Sequence, residues 1–190
     1  VQNSNSQSST VSTRGGGSGG GTFVPTVTPA PTTAPENEYF TDLADVMWAK
    51  QSIEKLTKAG VIAENDEKLF YPERNITREE FVKMVVVAFN LQDEKAQCNY
   101  ADVDKNAWYY NYVAAAAEKN IVSGYSDEIF GIGDNITRQD MAVIIYRITN
   151  LDQSDYSISE MFDDNYLIDE YARKAVYSLR NAQIISGMDD

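Results

Sequence analysis

The chain has 190 residues, with 16 basic and 29 acidic side chains and a formal net charge of −13. Because such a surface repels phosphate backbones and anionic lipids, the composition argues against binding to nucleic acid or to an anionic membrane. Histidine is absent and Cys98 is the sole cysteine, which excludes His-based catalytic triads, His-bearing zinc sites and an internal disulfide.

Residues 1–38 have the composition of a linker. Ser, Thr, Asn and Gln dominate its beginning, a glycine-rich run follows at 15–21, and four prolines lie between 25 and 35. Glycine-rich chain is flexible, whereas the Pro/Thr stretch favours extended polyproline II. We therefore predict a disordered linker that holds an upstream cargo domain, absent from this chain, away from a surface.

Neither a membrane span nor a signal peptide is apparent in the sequence. No run of about 18 apolar residues occurs, so we predict no membrane span. The chain opens at Val1 without the basic and apolar segments of a signal peptide. We interpret it as part of a longer, exported precursor.

From Tyr39 onward the sequence repeats itself at an offset of 60 residues without a gap. The recurring pairs include Phe40 with Tyr100, Asp42 with Asp102, Trp48 with Trp108, and Ile-Thr-Arg at 76–78 with the same triplet at 136–138. A third copy begins at Phe162 and follows the second at an offset of 63. We predict repeats over 39–98, 99–160 and 161–190, the third being incomplete because its Thr-Arg pair would fall beyond Asp190.

Each repeat has the pattern of a helix, a loop and a second helix. In the first helix, Ala49, Ser52, Ile53 and Leu56 have the spacing of a packed face, and Gly60 suits a left-handed C-terminal cap. Asn120, which also tolerates that conformation, occupies the matching place in the second repeat.

The second helix is predicted to begin with a capping box at 77–80 (Thr-Arg-Glu-Glu). Its predicted apolar face consists of Phe81, Met84, Val85, Ala88 and Phe89, repeated as Met141, Ile144, Ile145 and Ile148. We expect Phe70 and Phe130 to attach the loops to the core. Because one helix pair buries too little apolar surface to fold alone, the copies must pack on one another and form grooves between them.

Arg78 and Arg138 are the most informative charged residues. A cation in the first turn of a helix opposes the helix dipole, so an anion is expected nearby. The free backbone N–H groups of a helix start and a guanidinium together suit a carboxylate or a phosphate. The alternative is an internal salt bridge from each arginine to a loop aspartate.

Trp48 and Trp108 lie six residues after Asp42 and Asp102, respectively. An indole face can stack on the C–H surface of a pyranose while a carboxylate accepts hydrogen bonds from sugar hydroxyls. The pattern therefore indicates a sugar-binding platform. The alternative is that the recurring tryptophans are core residues.

These phrases resemble the S-layer homology family, notably 40–43 (Phe-Thr-Asp-Leu), 76–81 (Ile-Thr-Arg-Glu-Glu-Phe) and 121–125 (Ile-Val-Ser-Gly-Tyr). The resemblance implies a mainly α fold of three repeats in a pseudo-threefold bundle. It also implies anchoring of a surface protein to the bacterial cell wall, outside the cell. The implied partner is an anionic secondary cell-wall polysaccharide that binds in the grooves between the repeats. The resemblance implies that a pyruvylated N-acetylmannosamine of this polymer presents a carboxylate to the motif arginine.

The resemblance also implies which residues bind this ligand. They are Asp42, Trp48 and Arg78 in the first repeat, Asp102, Trp108, Ser123, Gly124 and Arg138 in the second, and Asp164, Tyr171, Ser186 and Gly187 in the third. The first repeat has Ala63-Glu64 in place of the family's Ser-Gly, and Glu64 would repel an anion. We therefore expect the residues of the second repeat to form the better site.

Other functions are less well supported by the sequence. For a glycoside hydrolase no carboxylate pair stands out, since Glu79 becomes Gln139 in the second repeat and the adjacent Glu79 and Glu80 point about 100° apart on a helix. Cys98 has no imidazole to activate it and is interpreted as structural. We expect no catalytic residue and no cofactor. The remaining alternatives are self-assembly into a surface lattice and a role as the appendage of a polysaccharide-degrading enzyme or scaffold that lies upstream.

A calcium loop is suggested by Asp102, Asp104 and Asn106, which imitate the start of an EF-hand. The rest of that motif fails, because Ala107 replaces the turn glycine and Val113 stands where the closing glutamate belongs. We therefore expect no metal site.

Overall fold

The computed structural model describes residues 39–151 and 162–187, so the predicted linker over 1–38 lies outside the described residues. The described part contains five α-helices: α1 Met47–Lys58, α2 Arg78–Ala88, α3 Tyr110–Glu118, α4 Arg138–Thr149 and α5 Glu170–Asn181. Short 3-10 helices at Ala44–Val46 and Asn165–Leu167 precede α1 and α5, and no strand occurs among these residues. The predicted mainly α fold is confirmed. None of the described helices is long and apolar enough to cross a membrane.

Helix ends follow the predicted caps. The backbone N–H of Thr77 donates to Glu80 Oε2 at 3.0 Å before α2, and Thr137 Oγ1 accepts from the N–H of Asp140 at 3.2 Å before α4. These bonds pair polar groups that an isolated helix start leaves unpaired. Gly60 (φ +74°) and Asn120 (φ +55°) adopt the left-handed conformation after α1 and α3, as predicted.

The buried faces of the first two helices differ from the predicted ones. In α2, Ala88 and Phe89 are exposed, whereas Val82 and Val86 are fully buried. Every position from 81 to 88 except Lys83 is apolar, so periodicity alone could not define the face, and packing against α3 decides it. In α1, the predicted Leu56 is 36% exposed, and Ser52, also predicted, is exposed as well.

Helices pair across the repeat boundaries. The second helix of the first repeat, α2, packs against α3, and the second helix of the second repeat, α4, packs against α5. One core cluster joins Val82 and Val86 of α2 to Val113 of α3, and another surrounds the fully buried Leu179 of α5. The two helix pairs are equivalent, while the complete pseudo-threefold bundle stays a prediction.

The Ile-Thr-Arg motifs of the first two repeats are joined through their backbones. The N–H of Arg78 donates to the carbonyl of Asp134 at 2.9 Å, and the N–H of Ile136 donates to the carbonyl of Ile76 at 3.1 Å. These bonds flank an antiparallel bridge between Thr77 and Asn135. The N-terminal ends of α2 and α4 therefore lie side by side.

Candidate functional site

Arg78 joins the first repeat to the loop of the second. The residue is only 5% exposed, and its side chain donates from Nε to the carbonyl of Phe130 at 3.0 Å and from Nη2 to the carbonyl of Ser123 at 2.7 Å. The guanidinium also lies 5.0 Å from the ring centroids of Tyr125 and Phe130. A buried cation is thus satisfied mainly by backbone carbonyls and aromatic faces of the next repeat.

The remaining guanidinium nitrogen of Arg78 faces a carboxylate without a hydrogen bond. Nη1 is buried and has no hydrogen-bond partner among the described residues, and it lies 3.8 Å from Asp140 Oδ2, within ion-pair distance only. The alternative interpretation of the sequence was a salt bridge from each arginine to a loop aspartate. Arg78 does lie within ion-pair distance of an aspartate, but Asp140 is in the first turn of α4 rather than in a loop. Asp140 therefore balances the charge of Arg78, but it leaves the Nη1 donor without a hydrogen bond.

Asp140 is held in place by two hydroxyl groups. Thr137 Oγ1 donates to its Oδ2 at 2.7 Å, and the Tyr171 hydroxyl donates to its Oδ1 at 2.8 Å. Burial, followed by this hydrogen bond and the negative charge of Asp140, raises the pKa of Tyr171 to about 12. Tyr171 therefore keeps its proton at neutral pH and links the third repeat to the second.

A cavity of about 380 Å³ lies at this junction, and we call it the arginine cavity. It is lined by Arg78, Ser123, Gly124, Tyr125, Asp140, Val143, Ile144, Arg147 and Tyr171. Two arginines against one aspartate give these lining residues a net charge of +1, within a chain of net charge −13. Four of the sequence-predicted site residues meet here, although they come from three different repeats.

Arg147 is the main residue that the sequence analysis missed. It is exposed near the end of α4 and donates from Nη1 to the carbonyl of Ile121 and to Ser123 Oγ, both at 3.3 Å. Its other guanidinium nitrogens have no partner among the described residues. The equivalent position in the first repeat is Val87, so comparison of the repeats gives no signal for this arginine.

Gly124 is required by the crowding around it. Its N–H donates to the Tyr100 hydroxyl at 3.1 Å. A Cβ atom at this position would clash with the carbonyl of Ile129 and lie 2.6 Å from the carbonyl of Ser126 and 2.8 Å from Tyr100 Cε1. The close approach of these backbones is possible only without a side chain.

Arg138 makes the same contact at the next boundary. Its Nη2 donates to the carbonyl of Ser186 at 2.8 Å, just as Arg78 contacts Ser123. Arg138 is exposed, however, and it does not line the arginine cavity. Gly187 beside Ser186 is also less crowded, since an added Cβ would meet Phe162 Cδ1 only at 3.6 Å. The structure therefore assembles the Arg78 interface more tightly than the Arg138 interface.

Asp42 and Asp102 fasten the loops of their own repeats. Asp42 accepts from the N–H groups of Phe70 and Tyr71 at 2.8 and 2.7 Å. Asp102 accepts from three consecutive N–H groups, those of residues 130–132, at 2.7 to 3.0 Å. Burial raises the pKa of both carboxyls, but these backbone donors outweigh it and hold the pKa of each below the usual 3.8. Neither aspartate lines the arginine cavity.

Acid should weaken this loop attachment. The pKa of the Asp102 carboxyl is lower in the folded chain than its usual value of 3.8, so this carboxyl stabilises the fold fully when the pH is above 3.8. The stabilisation is lost as the pH falls through the pKa of the folded chain. We expect Asp102→Asn to lower the melting temperature at neutral pH and to flatten its decline between about pH 5 and about pH 3. Thermal melts across this range test it, with Asp66→Asn as an exposed control. Equal pH profiles for wild type and Asp102→Asn would contradict the assignment.

The remaining predicted residues lie on the surface. Trp48 is 87% exposed and Trp108 is 58% exposed, and the rings of Trp108 and Tyr109 make a T-shaped contact. The alternative that these tryptophans are core residues is therefore wrong. Asp164 is also exposed and precedes the short 3-10 helix of the third repeat. A ligand-binding role for these three residues stays a prediction.

Comparison with known proteins identifies the repeats. Residues 39–82 and 99–142 each match the S-layer homology domain. The chain is 28% identical over 152 residues to an amylopullulanase of Thermoanaerobacterium thermosulfurigenes, covering 78% of this chain and 8% of that protein. It is 32% identical over 116 residues to the surface-layer 125 kDa protein of Lysinibacillus sphaericus, covering 61% of this chain and 10% of that protein.

A third relative is the exoglucanase XynX of Acetivibrio thermocellus, 28% identical over 152 residues that cover 78% of this chain and 14% of the exoglucanase. The chain thus spans only a small part of each relative. Proteins with S-layer homology domains are associated with the bacterial cell surface. Two tandem segments of this chain, 39–82 and 99–142, thus match the S-layer homology domain, a non-catalytic module that generally anchors surface proteins to the cell wall.

Proposed function

We propose that this chain anchors a surface protein by binding an anionic cell-wall polysaccharide in the arginine cavity. The bound group is a carboxylate substituent, such as the pyruvyl ketal of an N-acetylmannosamine unit. The observation that carries the proposal is the convergence of two guanidinium groups on one inter-repeat cavity of a strongly acidic chain.

The chemistry of the cavity supports an anion as ligand. Within residues 39–151 and 162–187, Arg78 Nη1 is unpaired and Arg147 makes hydrogen bonds through Nη1 alone. Guanidinium groups bind carboxylates in planar, bidentate geometry. Tyr125 is 57% exposed and offers an aromatic surface to the sugar ring. Asp140 already places one negative charge beside Arg78, so it limits the negative charge that a ligand can bring into the cavity.

The proposal is tested by replacing the exposed arginine. Arg147→Gln keeps the fold, because the side chain is exposed, but removes charge-assisted hydrogen bonds to the ligand. Each such bond contributes about 1.5–3 kcal/mol, so the affinity should fall about tenfold or more. The measurement is calorimetric titration of purified cell-wall polysaccharide before and after chemical removal of its pyruvyl groups.

Arg138→Gln is the matched control, since Arg138 is also exposed and contacts one Ser carbonyl but lies outside the cavity. We expect it to change the affinity less than Arg147→Gln. A larger effect of Arg138→Gln would place the site at the next repeat boundary. Equal binding of native and depyruvylated polymer would contradict recognition of the carboxylate.

A further inference from the structure

A second cavity adjoins the arginine cavity. It has a volume of about 480 Å³ and shares the segment 123–125 with the first. Two side-chain amides, from Gln97 and Asn99, contribute to its other walls, and we call it the amide cavity. The two cavities thus lie next to each other, and residues 123–125 belong to the lining of both.

The lining of the amide cavity is polar and acidic. Besides the two amides it includes the carboxylates of Glu118 and Asp127. These four side chains are exposed, and none of them makes a hydrogen bond to another described residue. No Lys or Arg is among the described lining residues, so their net charge is −2, against +1 in the arginine cavity.

Tyr125 lines both cavities. Its ring lies over the Arg78 guanidinium at 5.0 Å, and it approaches Gly131, where an added Cβ would lie 3.0 Å from Tyr125 Cζ. The ring is therefore held in place although it is 57% exposed. A fixed aromatic surface beside free amides and carboxylates suits a pyranose, whose C–H face stacks while its hydroxyls donate and accept hydrogen bonds.

We propose that the amide cavity is a second saccharide subsite, which takes a neutral or amino sugar linked glycosidically to the anionic unit in the arginine cavity. This inference rests on the proposed function and specifies its ligand. Opposite charges in adjoining cavities select a polymer in which the anionic unit has an uncharged or cationic neighbour. A polymer with an anion on every unit is disfavoured, because its second anion would meet Glu118 and Asp127.

Four synthetic probes test this selection by calorimetry on the complete chain. One is the methyl glycoside of pyruvylated N-acetylmannosamine, and the others carry glucose, glucosamine or glucuronic acid as a second unit. We expect the glucose and glucosamine disaccharides to bind more tightly than the monosaccharide. The glucuronic acid disaccharide should bind about tenfold more weakly than the glucose disaccharide, because two carboxylates repel it.

The double variant Glu118→Gln/Asp127→Asn keeps the shape and hydrogen-bonding capacity of the wall but removes both charges. We expect the preference for glucose over glucuronic acid to disappear in this variant. In the wild type, about 1 M salt should reduce the preference in the same way, which provides a readout without substitution.

The outcomes separate the two proposals. If the monosaccharide does not bind, the proposed function fails and this inference fails with it. If the monosaccharide binds but the three disaccharides bind alike, only the second subsite is overturned. A preference that persists both in the double variant and at high salt also overturns it.

Discussion

Arg78→Met is expected to destabilise the fold by about 3 kcal/mol, because it leaves the carbonyls of the buried Phe130 and of Ser123 without their charged donor. Methionine keeps the unbranched part of the side chain as far as the position of Nε and most of its volume, so the loss reflects hydrogen bonding more than an empty volume. In a folded part of this size the melting temperature should fall by roughly 6–12 °C. Urea denaturation followed by circular dichroism measures the change in free energy of unfolding.

Arg138→Met is the matched comparison. Arg138 occupies the equivalent position and donates to the equivalent Ser186 carbonyl, but it is exposed, so solvent can replace its hydrogen bond. We expect a loss below about 1 kcal/mol. If both variants lose the same stability, Arg78 does not have the structural role that its burial indicates.

Gly124→Ala is expected to cost about 3 kcal/mol and to abolish polysaccharide capture. The new Cβ would meet the carbonyl oxygens of Ile129 and Ser126, which are backbone atoms and cannot move aside without shifting the loop. That loop supplies the Ser123 carbonyl to Arg78 and forms the wall between the two cavities. Stability is measured by chemical denaturation and capture by sedimentation with purified cell walls.

Gly187→Ala is the control at the equivalent place in the third repeat. An added Cβ there would make ordinary contacts with Phe162 at 3.6 and 3.7 Å, so the stability should change by less than about 0.5 kcal/mol. Similar losses in the two alanine variants would show that crowding around Gly124 does not hold the loop in place.

The sequence predicted the helices, their caps and the repeating motifs, because these depend on local patterns. Thr77, Gly60 and Asn120 act where their conformational preferences place them. The face of α2 could not be predicted in the same way, since almost every residue from 81 to 88 is apolar. Contact with α3 selects Val82 and Val86, and such a choice depends on tertiary structure.

The candidate site was predicted residue by residue but not as a group. Arg78, Ser123, Gly124 and Tyr171 were each assigned to ligand grooves between repeats, but the sequence did not indicate that these four line one cavity, as they do in the structure. Two other residues that line the cavity could not be found by comparing the repeats. Tyr125 and Arg147 have Asn65 and Val87 at the equivalent positions of the first repeat, and a residue that does not recur leaves no trace in a comparison of repeats.

The arginine cavity has walls from three successive repeats, with Arg78 from the first, Ser123 from the second and Tyr171 from the third. A chimaera that receives only the middle repeat would therefore keep Arg147 but lack Arg78 and Tyr171, the cavity residues that the neighbouring repeats supply. The smallest portable unit for grafting runs from α2 to α5. Duplication of one repeat therefore adds a binding cavity only if the repeats on both sides of the new copy supply the remaining lining residues.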